Sequence, residues 1–140
     1  MVVAIDPSRN LYNGQPSLIA RWLDDLGIAP GERVVHIGCA TGYFTALIGH
    51  IVGQTGRVDA IDIDASLVER ASASLADKSW ISVSTGNGSG DLPKDVDVVL
   101  VQAGATHILD VWLDALGDGG RLLVPPPNRL GWRPRRWLVH

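Results

Sequence analysis

Residues 33–44 read RVVHIGCATGYF, and this stretch decides the fold. The β-branched, apolar residues before its first glycine predict a buried strand. Apolar residues recur at helical spacing after it, at Phe44, Leu47, Ile48, Ile51 and Val52. Gly38 and Gly42 stand between these segments, where the backbone must turn sharply and a ligand can approach closely. The stretch predicts a strand, a loop and a helix whose first N–H groups face a ligand-binding corner.

Two classes of nucleotide-like ligand use such a corner. The dinucleotide fingerprint requires glycine at its first, third and sixth positions, which are Gly38, Ala40 and Tyr43 here, so two of the three glycines are missing. Asp62 ends the next apolar run, where a carboxylate can accept hydrogen bonds from both hydroxyls of a ribose. The pattern favours S-adenosylmethionine over NAD. The alternative is that the two glycines serve only a tight turn between strand and helix.

Composition indicates one globular domain over residues 1–140, with an N-terminal arm at 1–15 and a short basic, tryptophan-containing tail at 125–140. The chain is 46% hydrophobic and 19% charged. Its length allows a core without disulfides or metal, and no metal site is expected. A formal net charge of −3 argues against general affinity for nucleic acid or an anionic membrane.

Cys39 is the only cysteine, which excludes an intrachain disulfide and suits a reducing compartment. We interpret it as a small buried filler rather than a nucleophile, because no arrangement that combines a histidine with a carboxylate is visible around it in the sequence. No stretch approaches the length of a membrane span, and Asp6 follows the first apolar residues too soon for a signal peptide. We therefore expect a cytoplasmic protein.

Helix and strand patterns alternate after a loop-like first fifteen residues. Helices are predicted from Pro16 to a stop at Gly27, from Gly42 to Gly53, from an Asp64 cap to near Asp77, and from a Thr106 cap through Leu116. Strands are predicted at 33–37, 57–62, 80–84, 95–101 and, after a turn at Asp118-Gly119-Gly120, at 121–124. This alternation predicts an α/β fold with a doubly wound parallel sheet of about five strands.

Several motifs in a fixed order resemble the class I S-adenosylmethionine-dependent methyltransferases. They are Gly14-Gln15-Pro16 before a helix, Pro30-Gly31, VVHIGCATGY, GRVDAIDID, TGNG and DGGRLLVP. Within that class, the arrangement from Asn13 to Pro125 is similar to the protein-L-isoaspartate O-methyltransferase family. The resemblance implies a Rossmann-like methyltransferase fold whose usual C-terminal antiparallel strands are largely missing. It also implies S-adenosylmethionine as cofactor and a protein or peptide carboxylate as methyl acceptor; the alternative is a truncated, inactive relative that binds the cofactor or a protein partner.

The same resemblance implies which residues bind the cofactor. The segment from Gly38 to Gly42 would pass under the carboxypropyl part, Asp62 would hold the ribose, and Asn87 with Gly88 would line the adenine. The full set is His36, Gly38, Cys39, Ala40, Thr41, Gly42, Asp62, Ile63, Asn87 and Gly88.

Four positions depart from the family pattern. The family has glycine at Ala40 and an aspartate at Asn87, whose amide keeps an acceptor oxygen for the adenine amine. It has an acidic residue at His36, so a contact with the cofactor's ammonium would be lost or routed through water. His36 could instead be a strand-end residue satisfied by neighbouring backbone. Gly14 replaces a serine on the substrate side.

Gln102, Thr106 and His107 are the candidates for contact with the acceptor, because the fourth strand of the sheet opens on the same crevice as the first. His107 would act as a general base only for a hydroxyl or amine acceptor, and the alternative is an exposed residue in a first helical turn. Gln102 is interpreted as a polar group lining the pocket.

The tail contains two tryptophans and four arginines beyond the last predicted strand. An uncovered edge strand beside exposed aromatic residues favours association. We predict that Trp137-Leu138-Val139 pairs along the open sheet edge or against a second subunit in a homodimer. A disordered or truncated end is the alternative.

Overall fold

The computed structural model describes residues 4–6, 11–12, 23–102, 109–124 and 135–138. The strands are β1 (Ala4–Asp6), β2 (Leu11–Tyr12), β3 (Arg33–Ile37), β4 (Arg57–Asp62), β5 (Ile81–Thr85), β6 (Val96–Val101), β7 (Leu116–Val124) and β8 (Arg135–Leu138). The helices are α1 (Tyr43–Val52), α2 (Ala65–Ser74) and α3 (Asp110–Ala115). Residues 23–26 are also helical.

Six strands form one sheet in the order β5-β4-β3-β6-β7-β8. The first five are parallel, which confirms the predicted doubly wound sheet, and β8 is antiparallel to β7. The chain builds outward from β3 in both directions, so β3 and β6 flank the point where the strand order reverses. In open parallel sheets, ligands bind outside the carboxyl ends of the strands at this point.

The register brings the predicted site residues to one edge. Ile37 at the end of β3 pairs with Ile61 of β4 on one side and with Val101 of β6 on the other. The residues that follow these three are Gly38, Asp62 and Gln102. They therefore emerge side by side at the carboxyl edge.

The core has two layers, one on each face of the sheet. Successive residues of a strand point to opposite faces. Accordingly Val34 packs with Phe44 and Ile48 of α1, whereas Val35 packs with Trp112 of α3. Coverage on both faces explains why the strands of this sheet read as nearly continuous apolar runs.

Both boundaries of α1 and the start of α2 follow the residues that predicted them, whereas α3 begins at Asp110, after the extended cap residue Leu109, which was predicted to be helical. Gly42 precedes α1 with a φ of 88°, and Gly53 follows it with a φ of 66°. The Asp64 side chain caps α2 by accepting hydrogen bonds from the backbone N–H groups of Ser66 and Leu67. That helix ends at Ser74, three residues before the predicted end at Asp77.

Three predictions about local structure are wrong. Leu116 begins β7 instead of continuing the preceding helix, and the predicted turn at Asp118-Gly119-Gly120 lies inside that strand. The β6–β7 register is irregular between Val96 and Val98, which lets the extended segment absorb the extra residues. The first fifteen residues contain β1 and β2, which form a separate antiparallel pair rather than only loops. Thr106 lies outside the described residues.

The prediction that the C-terminal tail pairs along the open sheet edge is confirmed for Trp137 and Leu138. Leu138 pairs with Arg121 and Trp137 pairs with Leu122, so β8 covers the edge of β7. Val139 lies outside the described residues. Across the part of the chain that the structure describes, none of the helices is both long and apolar enough to span a membrane.

Candidate functional site

The loop after β3 is tied to the end of β4. The backbone N–H groups of Gly38 and Cys39 donate to the carbonyl oxygen of Ile61 at 2.7 and 3.2 Å, and that of Gly42 donates to the Cys39 carbonyl at 2.9 Å. Gly38, Ala40 and Gly42 have φ values of 83°, 50° and 88°. Three left-handed residues in five give the loop its tight curvature, and only Ala40 adopts this conformation without being a glycine.

Asp62 lies directly against this loop. One carboxylate oxygen, Oδ2, accepts a hydrogen bond from the Ala40 backbone N–H at 2.9 Å. The other, Oδ1, accepts one from the Asp64 backbone N–H at 2.9 Å. Each oxygen keeps a further lone pair. The carboxylate is therefore held in a fixed orientation and can still accept hydrogen bonds from a ligand.

Ile63 places an apolar surface beside this carboxylate, because its side chain is 76% exposed. An apolar surface next to a few convergent polar groups is the usual composition of a small-molecule site. Ile63 therefore adds exposed apolar surface beside the Asp62 carboxylate, a combination that suits a nucleoside-like ligand.

The loop after β5 is held in place by contacts of Gly88 with β3 and α3. Gly88 has a φ of 75°, and a Cβ atom there would lie 2.7 Å from Cγ2 of Ile37, so only glycine fits this close approach to β3. The indole Nε1 of Trp112 donates to the Gly88 carbonyl at 2.8 Å. The Asn87 side-chain oxygen accepts hydrogen bonds from the backbone N–H and the hydroxyl of Ser89 at 2.9 and 2.5 Å. This oxygen therefore organises the loop, which leaves the amide NH₂ as the free part of the side chain.

His36 is completely buried near the end of β3. Its Nδ1 lies 2.9 Å from the hydroxyl of Thr45 on α1, and its Nε2 contacts Oε1 of Gln102. Burial lowers the pKa of His36 from 6.5 to about 4, so the imidazole is neutral at physiological pH. The expectation that neighbouring backbone groups satisfy this residue is wrong, because its partners are side chains of two other segments.

Gln102 follows β6 and is partly exposed. Its backbone N–H donates to the Ile37 carbonyl at 2.7 Å, which fixes it to the end of β3. The structure thus brings Gln102 to the same edge as Asp62. The other acceptor-side candidates, Thr106 and His107, lie outside the described residues.

Cys39 is buried within the loop. Burial and, to a smaller extent, the Asp62 carboxylate raise the pKa of its thiol to about 12. A thiol that stays protonated at neutral pH is a poor nucleophile, which agrees with its interpretation as a filler.

Sequence reasoning missed Thr45 and the anchoring role of Trp112. Thr45 offered a signal, since it is a polar residue directly beside Phe44 at the start of an apolar helix. Trp112 offered none, because its spacing in the helix fits a core residue equally well. Nothing in a pattern distinguishes an indole N–H that has a distant carbonyl partner from one that does not.

A cavity lies at the opposite, amino edge of the sheet, away from these residues. Its volume is about 440 Å³, and its lining includes Arg33, Thr55, Arg57, Asp59 and Pro93. Arg57 is already paired with Asp59 at 3.1 Å. We assign no ligand to it. The described residues contain no group of three histidine, cysteine, aspartate or glutamate side chains that could hold a metal ion.

Solved structures resemble this fold. A protein-L-isoaspartate O-methyltransferase structure aligns with a TM-score of 0.84 and 28% identity over 99% of this chain and 45% of that chain. Aeropyrum pernix fibrillarin, solved with natively bound S-adenosyl-L-methionine, aligns with a TM-score of 0.68 and 20% identity over 78% of this chain and 53% of its own. The latter likeness concerns the fold alone.

Relatives in sequence agree. The Thermotoga maritima protein-L-isoaspartate O-methyltransferase is 31% identical over 131 residues, covering 90% of this chain and 41% of its own length. The Koribacter versatilis protein of the same name is 36% identical over 115 residues, covering 79% and 50%. The chain therefore spans about half the length of the curated relatives it matches. The family model for protein-L-isoaspartate(D-aspartate) O-methyltransferase matches residues 3–130, and the chain belongs to this family.

Proposed function

We propose that the chain binds S-adenosylmethionine at the carboxyl ends of β3 and β4 and transfers its methyl group to an isoaspartyl carboxylate of a protein or peptide. Family membership supports the reaction and the acceptor. One observation carries the binding site: the Asp62 carboxylate lies 2.9 Å from the Ala40 backbone N–H, against the loop from Gly38 to Gly42.

The residues at this edge fit the cofactor's chemistry. Asp62 retains the lone pairs that a ribose diol requires, and Ile63 offers an apolar surface for the adenine. The loop from Gly38 to Gly42 would lie under the carboxypropyl part, and the Asn87 amide would face the base. When bound, the cofactor supplies a methyl group on a positively charged sulfur. His36 is neutral and engaged with Thr45 and Gln102, so it provides no negative charge for the cofactor's ammonium.

The acceptor sets modest demands on the protein. A carboxylate is already ionised at neutral pH, so it needs no general base. The protein contributes alignment of the reacting groups and exclusion of water. Gln102 is the acceptor-side residue that we place in this role, and His107 would be needed only for a hydroxyl or amine acceptor.

Calorimetry with S-adenosylmethionine, S-adenosylhomocysteine and NAD tests the cofactor. We expect both adenosyl compounds to bind and NAD not to bind. Asp62→Asn should weaken their binding about tenfold or more, because charge-assisted hydrogen bonds to the ribose are lost. Asp25→Asn is the matched control, since Asp25 is exposed and belongs neither to the loop after β3 nor to the loop after β5. Equal affinities for the two variants would contradict the placement of Asp62.

Transfer of a radiolabelled methyl group tests the reaction. An isoaspartyl peptide should be labelled, and small carboxylic and hydroxyl acceptors should be labelled less. A second candidate function is a shortened relative that binds the cofactor or a protein partner without transfer. His36 favours this candidate, because it stands where the family has an acidic residue and its buried, neutral ring provides no negative charge for the cofactor's ammonium. Cofactor binding without any transfer would support that candidate over the enzyme.

A homodimer and a cytoplasmic location remain predictions from the sequence. Within the described residues, β8 pairs only with β7, so its outer side is a sheet edge. An exposed edge presents unpaired N–H and C=O groups, and we place the dimer contact there. Sedimentation above micromolar concentration should show a dimer, and a monodisperse monomer would contradict it. We expect no specific nucleic-acid partner.

A further inference from the structure

We propose that His36 is a positioning residue that orients the side-chain amide of Gln102, so that Gln102 presents N–H donors to the crevice and selects an acceptor bearing a carboxylate. This inference rests on the proposed function. It concerns two residues of this chain whose contact spans 66 positions in sequence.

The location of the pair gives it influence over the acceptor. His36 belongs to β3 and Gln102 directly follows β6, so the contact bridges the two strands at which the strand order reverses. Gln102 is also fixed through its backbone, because its N–H donates to Ile37 at 2.7 Å. Only its side-chain torsions remain to be set.

With the Gln102 oxygen against Nε2 of His36, one arrangement of protons satisfies the whole network. The Gln102 oxygen can only accept, so the hydrogen between the two side chains lies on Nε2 of His36. A neutral imidazole then has its lone pair on Nδ1, to which the Thr45 hydroxyl donates across 2.9 Å. If the Gln102 amide were flipped while the proton stayed on Nε2, its NH₂ group would face the Nε2–H and two donors would oppose each other. A flipped amide therefore requires the proton on Nδ1, where it would donate to the Thr45 hydroxyl.

The burial of this network makes that orientation costly to abandon. His36 and Thr45 are each 0% exposed. Among the described residues, these two are the polar or charged residues that are buried. A buried polar group without a partner is strongly disfavoured, so the network holds its arrangement. Gln102 is partly exposed, and its NH₂ group is the part of the side chain that His36 does not engage. Two N–H donors suit carboxylate oxygens and provide no acceptor for the proton of a hydroxyl or amine.

The ring tautomer of His36 is the first test, and it requires no ligand. Long-range ¹H–¹⁵N spectra of the full chain should show the proton on Nε2. Thr45→Val removes the hydroxyl that donates to Nδ1, so both tautomers should then be populated, whereas the control Thr55→Val should leave the spectrum unchanged. A proton on Nδ1 in the unmodified chain would overturn the proposal, because Gln102 would then present its oxygen to the crevice.

Peptide binding to the chain saturated with S-adenosylhomocysteine is the second test. We expect an isoaspartyl peptide to bind more tightly than its carboxamide analogue and to shift the Gln102 side-chain NH₂ signals. Gln102→Glu should weaken binding of the peptide about tenfold or more while leaving affinity for S-adenosylhomocysteine within about twofold. Gln54→Glu adds the same charge at an exposed turn and is the matched control.

The outcomes separate this inference from the proposed function. Equal peptide affinity in the Gln102→Glu and Gln54→Glu variants would overturn the role of Gln102. Failure of the unmodified chain to bind S-adenosylhomocysteine would instead refute the proposed function, and the tautomer measurement would still decide the role of His36. Thr45→Val should raise the peptide's KM and lower kcat little, and it should also lower the melting temperature, because Nδ1 of His36 loses its buried partner. A merely structural role would lower the melting temperature without changing KM.

Discussion

Ala40 has a left-handed backbone at a position where the family has glycine. Its φ of 50° costs an L-residue about 1–2 kcal/mol, whereas glycine adopts this conformation without that cost. Glycine loses about 0.5–1 kcal/mol more chain entropy on folding. We therefore expect Ala40→Gly to raise the free energy of unfolding in urea by about 0.5–1 kcal/mol. Ala46→Gly, inside α1, should lower it by about 1 kcal/mol. A similar loss in both variants would show that Ala40 is not strained.

His36 makes stability depend on pH in a defined direction. Its pKa is about 4 in the folded chain and 6.5 in the unfolded chain, so the unfolded chain binds more protons between these values. The free energy of unfolding should therefore fall as the pH drops from about 6.5 toward 4, by up to about 3 kcal/mol, and this contribution should be constant above pH 7.5.

Two measurements check this pH dependence. Urea unfolding should show the fall in the unmodified chain and in the His50→Asn variant, whose histidine is exposed, and a smaller fall in His36→Asn. NMR titration of the His36 ring in the unmodified chain is the second measurement, and the ring should remain neutral down to about pH 4. A ring that titrates near pH 6.5 in the folded chain would contradict the prediction.

At this scale the sequence predicts some positions and not others. Asp62 could be placed because it is the last residue of a strand whose neighbours in the sheet were predictable. The partners of His36 could not, because Thr45 and Gln102 lie 9 and 66 residues away and meet it only in the packed fold. The Asn87 oxygen could not be assigned either, since its use within its own loop depends on the local backbone conformation.

At the scale of elements, Gly49 lets α1 lie close to β5. A Cβ atom at Gly49 would be 2.3 Å from Cδ1 of Ile81, and the indole of Trp80 donates to the Gly49 carbonyl at 2.9 Å. Alanine favours an isolated helix over glycine by about 1 kcal/mol. We nevertheless expect Gly49→Ala to destabilise the protein by about 1–2 kcal/mol, because overpacking displaces Ile81.

A double-mutant cycle checks that explanation. Ile81→Val removes the Cδ1 atom and should recover most of the loss caused by Gly49→Ala, giving a favourable coupling energy of about 1 kcal/mol in urea unfolding. Simple additivity of the two variants would place the effect elsewhere in α1. Side-chain spacing predicted this helix, but the need for glycine at position 49 depends on the adjacent strand, which the spacing does not reveal.

Element boundaries were predictable where a single side chain determines them. Asp64 caps α2 with its own carboxylate, and Gly53 ends α1 with a left-handed backbone. The start of β7 was not predictable, because Leu116 fits the helical spacing of the preceding apolar residues. Its strand conformation comes from pairing with Val96 of β6, a contact that no local pattern encodes.

For the whole molecule, β8 determines which strand forms the edge of the sheet. Deleting residues 135–140 removes β8 and exposes the edge of β7, whose Leu122, Leu123 and Val124 are otherwise buried. Exposed apolar edge strands pair with other chains. We therefore expect the shortened chain to unfold at lower urea concentration and to sediment as larger, polydisperse species. Deleting only residues 139–140 leaves β8 intact and should cause neither change. A shortened chain that stays monodisperse and as stable as the full chain would show that β8 contributes nothing to the cohesion of the sheet.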